Sequence, residues 1–255
     1  MSVLSHLQQR ASGAVLSAGE TASINTSIAT LQRRLESHFG DKIKTHFRFG
    51  SSTRGTILPR SLDRNSDIDY MVVFADGGHM PQTYLDRLKR FVETYYSRSE
   101  VYQSSPTIVL ELNHIKFELV PALASLWSGY QIPQGPAAWQ TTNPNDFNAK
   151  LTAKNNAELS LIKPSIRLFK LWNATNNYVF HSYRSEQWIV EQSFWFCTNQ
   201  KEYLFTLFDN LNTYGMADWR RAKIERAKTL VSQVRKYERE SMPATAEAEV
   251  RKLIH

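Results

Sequence analysis

Two aspartates, Asp67 and Asp69, lie two positions apart in the strand-favouring run Asp67–Phe74. On a strand, such residues project from the same face about 6.5–7 Å apart. Two carboxylates on one face repel each other, and a divalent cation between them relieves the cost of burying them. Paired Mg²⁺ ions about 3.5–4 Å apart are the arrangement of two-metal phosphoryl chemistry. An isolated Asp-x-Asp pair is more often a solvated loop or strand-end feature, so the neighbouring residues must decide.

A glycine and a serine, Gly50 and Ser51, follow segment 42–49, whose alternation is typical of a strand. Glycine lets the backbone approach a ligand closely, and the free N–H groups of a turn form an anion site. With the Ser51 hydroxyl as a further donor, this loop can hold the phosphates of a nucleoside triphosphate. The same dipeptide also marks ordinary turns, and Arg54, near Thr56 in the same loop, could face either phosphate or water.

A third acid, Glu118, lies in segment 115–121, which also alternates as a strand does. Glu118 and Lys116 fall on the face opposite Phe117. Because an acid buried within a strand needs a partner, Glu118 is a candidate third carboxylate of the metal site. It could equally be an exposed edge-strand residue, and Glu111 in the neighbouring strand is a rival for the role.

The patterns predict an α+β chain whose sheet-containing part, residues 1–150, precedes a helical part, residues 151–255. The first 39 residues read as one long helix or as two helices broken near residues 17–20. Further predicted elements of the first part are strands at 42–49, 67–74, from 101, 107–112 and 115–120, a helix at 81–97, and a loop-rich segment at 121–145. The second part is predicted to contain helices at 159–172, 185–197, 201–212, 218–240 and 244–253. A sheet beside helices often leaves a cleft between them.

The composition is that of a globular protein. The chain has 255 residues, of which 42% are hydrophobic and 22% charged, and these fractions exclude a mostly disordered chain. It has no apolar window of about 18 residues and no apolar segment typical of a secretory signal near the N-terminus. We therefore expect neither a membrane span nor secretion. The single cysteine, Cys197, is typical of a reducing compartment such as the cytoplasm.

The charge is basic, with 31 Lys and Arg against 24 Asp and Glu and a net of +7. Such a balance favours anionic partners, among them nucleotides and nucleic acid. The excess is concentrated at residues 220–239. This stretch is either a solvated helix face with local ion pairs or a phosphate-binding track for a nucleic-acid or effector-protein partner.

Taken together, the motifs resemble a known superfamily. The segment Gly50–Thr56 (GSSTRGT) followed by Ser66–Asp69 (SDID) is similar to the signature of the DNA polymerase β-like nucleotidyltransferases. Its Arg-Gly-Thr form resembles the CD-NTase or SMODS oligonucleotide synthetases, which are related to cGAS and the oligoadenylate synthetases. Downstream, Phe117–Ala122 (FELVPA) resembles the strand that brings the third acid, where the family more often has Asp. Residues 166–173 (IRLFKLWN), with Ser182-Tyr183 and Glu186, resemble the helical half.

The resemblance implies an active site in a cleft between a sheet domain and a helical domain. By position, Asp67, Asp69 and Glu118 would hold two Mg²⁺ or Mn²⁺ ions. The remaining implied contacts are with the nucleotide. Tyr183 would stack on the donor base. The residues that would contact the phosphates or form the phosphate-binding loop are Gly50, Ser51, Arg54, Thr56, Lys170 and Ser182. From the residues alone, Lys170 could instead be a surface residue, Ser182 a helix N-cap and Tyr183 a core residue.

Three functions follow as hypotheses. The first, implied by the resemblance, is template-independent synthesis of short cyclic or linear oligonucleotides from NTPs or dNTPs, as a signal in bacterial anti-phage defence. The second is nucleotidyl transfer to an RNA or DNA 3′ end or to a protein hydroxyl, which the basic stretch at 220–239 motivates. The third is a catalytically silent nucleotide sensor, which the Glu at position 118 keeps open.

Overall fold

The computed structural model describes residues 2–125 and 129–255, which form two compact units. The sheet unit comprises Leu16–Arg60 and Arg64–Asn148, and the helical unit comprises Met1–Val15, Ser61–Asp63 and Ala149–His255. The first helix thus belongs with the C-terminal helices, whereas the sequence pattern placed it with the sheet in residues 1–150.

The sheet, within the described residues, contains seven strands in the order β1-β2-β5-β4-β3, with β6 paired to β5 and β7 to β6. Their bounds are β1 Ile43–Phe49, β2 Asp67–Phe74, β3 Glu100–Ser104, β4 Thr107–Glu111, β5 Lys116–Ala124, β6 Tyr130–Gln134 and β7 Ala138–Thr142. Strands β2 and β5 run parallel, and the other neighbours run antiparallel. The parallel pair places the amino-terminal ends of β2 and β5 side by side.

The helices, in chain order, are α1 Val3–Gly13, α2 Ala18–Phe39, α3 Ser51–Arg54, α4 Pro81–Tyr95, α5 Asp146–Ala157, α6 Ile162–Thr175, α7 Ser182–Glu191, α8 Gln200–Asn210, α9 Asp218–Arg239 and α10 Pro243–Leu253. The break between α1 and α2 has a local cause. Ser17 caps α2 by accepting from the Glu20 backbone N–H, while the Glu20 carboxylate accepts from the Ser17 N–H. Across residues 2–125 and 129–255, no helix combines the length and hydropathy that a bilayer span needs.

The main core of the sheet unit lies on one face of the sheet. There α2 and α4 cover alternate residues of β2, including Ile68, Tyr70 and Val72, together with Phe117 of β5. The alternation of the strand turns the intervening residues to the other face. On that second face, a smaller apolar cluster around Met71 lies toward the carboxyl-terminal ends of β2 and β5. The acidic positions lie on the same face at the amino-terminal ends of these strands.

The helical unit is held together by apolar contacts between its helices and α1. Helix α1 packs against α6, α8 and α10, and it buries Val3, Leu7 and Ala11. The His6 Nε2 atom lies 2.9 Å from the Ile254 carbonyl oxygen in the same core. These contacts explain why α1 joins the C-terminal helices.

One expectation from the sequence is wrong, and one helix was not predicted. The segment at 121–145 is not mainly loop, because β5 continues to Ala124 and the hairpin of β6 and β7 follows. The four prolines and scattered aromatics in this segment hide the strand period; residues 126–128 lie outside the described residues. Helix α5 was missed because Phe147 and Leu151 are its only large apolar residues, too few to mark a helical period.

Candidate active site

Three acidic side chains lie on one face of the sheet unit, on adjacent strands. Asp67 and Asp69 belong to β2, and Asp69 is the register partner of Glu118 on the parallel strand β5. Register partners project to the same side of a sheet, so all three carboxylates lie opposite the core that holds Ile68 and Phe117. The side chains of Asp67 and Glu118 are each about one quarter exposed. They are open to solvent but not fully hydrated.

The rival acid, Glu111, has a different position. It lies on β4, which is separated from β2 by β5. Arg60 donates to it, with Nη1 3.2 Å from Glu111 Oε2. Because Glu111 is one strand farther from the aspartates and already ion-paired, Glu118 is the acid that the fold places beside Asp69.

A lysine lies among these acids. Lys116 is the register partner of Asp67, and its Nζ lies 2.9 Å from Glu118 Oε1 and 3.5 Å from Asp67 Oδ2. Burial alone would lower the pKa of this ammonium, but the hydrogen bond to Glu118 and the charges of Asp67 and Glu118 outweigh burial and raise the pKa. Lys116 is therefore charged at neutral pH and neutralises part of the negative charge on this face.

The turn after β1 brings backbone against Asp69. Phe49, the last residue of β1, pairs with Asp69, and Gly50 follows with a φ of +74°. A Cβ built on Gly50 would overlap Asp69 Oδ2 and lie only 2.6 Å from Asp69 Cγ. Glycine at position 50 is thus required twice, by the backbone conformation and by the contact with the carboxylate.

The loop after Gly50 is fixed by residues that were expected to bind nucleotide. Arg54 is buried, with its guanidinium carbon 5.4 Å from the centroid of the Phe147 ring. Thr56 is fully buried, and its N–H donates to the Ser51 carbonyl at 3.1 Å. Arg54 and Thr56 therefore hold the loop in shape, and their contact with nucleotide stays a prediction. Ser51, which is partly exposed, remains available to a ligand.

The helical unit holds the other three predicted nucleotide contacts. Lys170 on α6 is buried, and its Nζ lies 3.4 Å from Oε1 of the buried Glu186 on α7, so it is not the surface residue considered from the sequence. Ser182 is the first residue of α7, whose N-cap is His181, so Ser182 is not the cap. Tyr183 has 40% of its surface exposed and is not a core residue. Their role in nucleotide binding stays a prediction.

Comparison with known families decides the identity. The model of the Second Messenger Oligonucleotide or Dinucleotide Synthetase (SMODS) domain matches residues 1–155. This chain belongs to the SMODS family. This SMODS protein is 25% identical over 206 residues to a Bacillus cereus (strain VD146) protein named Probable cyclic nucleotide synthase IK1_05630. That match covers 65% of this chain and 61% of the relative, which is less than two thirds of the relative's length.

Solved structures confirm the fold. The SMODS chain superposes with a TM-score of 0.71 on CdnC of Escherichia coli MS115-1, solved as a CdnC:HORMA-deltaN complex, at 17% identity and with 97% and 96% of the two chains covered. It also superposes with a TM-score of 0.71 on the CD-NTase CdnG of Bradyrhizobium diazoefficiens, solved with GTP, at 12% identity and with 98% and 97% covered. The predicted polymerase β-like nucleotidyltransferase fold is thereby confirmed.

The acidic face fits a divalent cation, although its ligands are not gathered. Among the residues that the structure describes, no three His, Cys, Asp or Glu side chains form a ready metal-binding cluster, so the expected convergence of the three acids is not formed. The Lys116 ammonium lies between Asp67 and Glu118 and takes the place of a positive ion. Carboxylate oxygens are the ligands that Mg²⁺ prefers, so the donor set suits this metal.

The basic stretch at 220–239 is mostly engaged with its own unit. Arg221 pairs with Asp218, Arg235 with Asp209 and Lys236 with Glu240, while Lys228 donates to the Asp209 carbonyl and the Arg220 guanidinium lies over the Trp219 ring. This arrangement favours the interpretation as a solvated helix face. We therefore propose no nucleic-acid partner for it.

Sequence reasoning missed the role of Lys116. The alternation of β5 already placed Lys116 and Glu118 on one face, two residues apart. Residues two apart on a strand project from the same face, so a lysine at that spacing is within reach of the acid. What the sequence lacks is the β2–β5 register, which brings Asp67 to the same ammonium.

Proposed function

We propose that this SMODS protein is a metal-dependent, template-independent nucleotidyltransferase of the bacterial cytoplasm. It joins nucleoside triphosphates into short cyclic or linear oligonucleotides that act as second messengers in anti-phage defence. The observation that carries the proposal is the register of Asp69 with Glu118, next to Asp67, on the face where Gly50 meets the Asp69 carboxylate. The family model over residues 1–155 supports the same chemistry.

The site residues of the sheet unit each have a defined part in the proposed reaction. Asp67, Asp69 and Glu118 would hold two Mg²⁺ or Mn²⁺ ions, which would lower the pKa of the attacking hydroxyl and neutralise charge on the α-phosphate. The close approach of Gly50 fixes the Asp69 carboxylate, and the Ser51 hydroxyl donates to the triphosphate. Pyrophosphate is the leaving group.

The helical unit supplies the base contact. Tyr183 presents an exposed ring near the start of α7, and stacking of a base on such a ring tolerates different bases. Lys170 and Ser182 are proposed to contact the phosphates, and the Lys170 ammonium also forms an ion pair with Glu186.

The product decides the function. The purified chain with Mg²⁺ or Mn²⁺ and each NTP or dNTP is expected to release pyrophosphate and to yield a product of two or more linked nucleotides by mass spectrometry. No pyrophosphate release with any triphosphate, alone or in mixtures, would contradict the proposal. Label incorporated only into added tRNA, a DNA primer or a protein would instead show transfer to a macromolecular acceptor.

Tyr183→Ala is expected to raise the KM for the donor triphosphate by about tenfold, since stacking on an aromatic ring contributes about 1–3 kcal/mol. The fold should persist because Tyr183 is not in the core. Tyr214→Ala is the matched control, because Tyr214 is 93% exposed in the same unit and has no assigned role. Equal KM values for the two variants would remove Tyr183 from the base site.

A further inference from the structure

Lys116 occupies the position among the acids that favours a cation. Its ammonium is a hydrogen-bond donor to Glu118 at 2.9 Å and lies 3.5 Å from Asp67. The lysine side chain is only 13% exposed, less than either carboxylate that it contacts. This limited exposure favours the lysine's ion pairs over the hydration of a free lysine.

The same face offers Lys116 a second carboxylate. In the antiparallel pairing of β4 and β5, the register partner of Lys116 is Glu111. The side chains of register partners lie within about 5.5 Å at their Cβ atoms. Glu111 is held in place by Arg60 and is one quarter exposed. A turn about the side-chain bonds of Lys116 therefore exchanges Glu118 and Asp67 for Glu111 without leaving the ammonium unpaired.

We propose that Lys116 is a tethered counter-ion that holds Asp67 and Glu118 until a divalent metal ion displaces it toward Glu111. The inference rests on the proposed function, because it concerns the same carboxylates. An ammonium at hydrogen-bond distance from Glu118 occupies a ligand oxygen and repels a divalent ion close by. The lysine thus raises the metal concentration that the enzyme needs, and it removes carboxylate repulsion before metal arrives.

Metal binding without nucleotide tests this directly. Mn²⁺ binding to the full chain is measured by electron paramagnetic resonance for wild type, Lys116→Met and Lys116→Arg. Methionine keeps the length of the side chain and removes its charge, so Lys116→Met is expected to bind Mn²⁺ roughly tenfold more tightly. Lys116→Arg keeps the charge and is expected to stay within about twofold of wild type.

A control lysine and a second neutral variant complete the design. Lys150→Met removes a lysine paired with Glu191 in the helical unit and should leave Mn²⁺ affinity unchanged. Lys116→Gln should show the same tightening as Lys116→Met, and in both neutral variants Mg²⁺ should raise Tm more than in wild type. The second neutral variant and the Tm measurement keep the test decisive if one variant folds poorly.

The outcomes separate the inference from the function. Equal or weaker Mn²⁺ binding by the neutral variants than by wild type overturns the counter-ion role and leaves the proposed function standing. Absence of Mn²⁺ binding in every variant, with native circular dichroism, overturns the inference, because no metal would then displace Lys116, and pyrophosphate release decides the function separately. Tighter binding by Lys116→Arg as well as Lys116→Met also overturns the inference, because charge would then not be the cause.

Discussion

Asp69→Asn is expected to lower kcat for pyrophosphate release by about a thousandfold or more. The change keeps the shape of the side chain and removes the charge that faces Glu118 across the strand pair. Loss of one carboxylate from a two-metal site costs several kcal/mol of transition-state stabilisation, and each 1.36 kcal/mol is about tenfold in rate. Because the substitution also removes repulsion between like charges, Tm should stay within a few degrees of wild type. Steady-state pyrophosphate release and thermal unfolding measure the two effects.

The matched control for Asp69→Asn is another aspartate of the sheet unit. Asp76 follows the far end of β2, is half-exposed and pairs with Arg87 at 2.9 Å. Asp76→Asn removes the same charge away from the acidic face and should leave turnover within about twofold of wild type. Turnover by Asp69→Asn above one tenth of wild type would contradict the proposed catalytic role of Asp69. Equal losses in both variants would point to net charge rather than to the site.

Part of the acidic face was predictable because the alternation of a strand can be read from the sequence. The run Asp67–Phe74 is a strand with the predicted bounds, and the shared face of Asp67 and Asp69 follows from its period of two. The choice of Glu118 over Glu111 was not predictable from that period. It depends on which strand lies beside β2, and the β2–β5 pairing joins segments about fifty residues apart.

The burial of the loop residues could not be predicted from residue type. Arg54 and Thr56 carry groups that suit phosphate, so the motif predicts them as ligand contacts, yet both are buried. The Phe147 ring beneath the Arg54 guanidinium lies almost a hundred residues away in the chain. Lys170 is similar, because its partner Glu186 lies on the next helix and the sequence does not show that both are buried. Burial depends on long-range packing, which composition and spacing do not report.

Gly50→Ala is expected to lower kcat by about a hundredfold while the chain still folds. A β-carbon at this position overlaps the Asp69 carboxylate, so either the turn or the carboxylate must move. Displacement of a catalytic group by about 1 Å can cost about a hundredfold in rate. The backbone adds strain, because Gly50 has a φ of +74° and a ψ of −153°, a region that essentially only glycine occupies. Pyrophosphate release together with denaturant unfolding separates the lost rate from lost stability.

Gly55 provides the comparison that isolates the contact with Asp69. It also has a positive φ, +72°, but a β-carbon there meets no atom within 4 Å. Gly55→Ala should therefore lower the free energy of unfolding by about 1–2 kcal/mol, the cost of a left-handed residue, and leave kcat within about threefold of wild type. Similar turnover in the two variants would mean that Asp69 tolerates displacement, and the close approach of Gly50 would then have no part in catalysis. A large loss confined to Gly50→Ala is the result that ties the turn after β1 to the position of the Asp69 carboxylate.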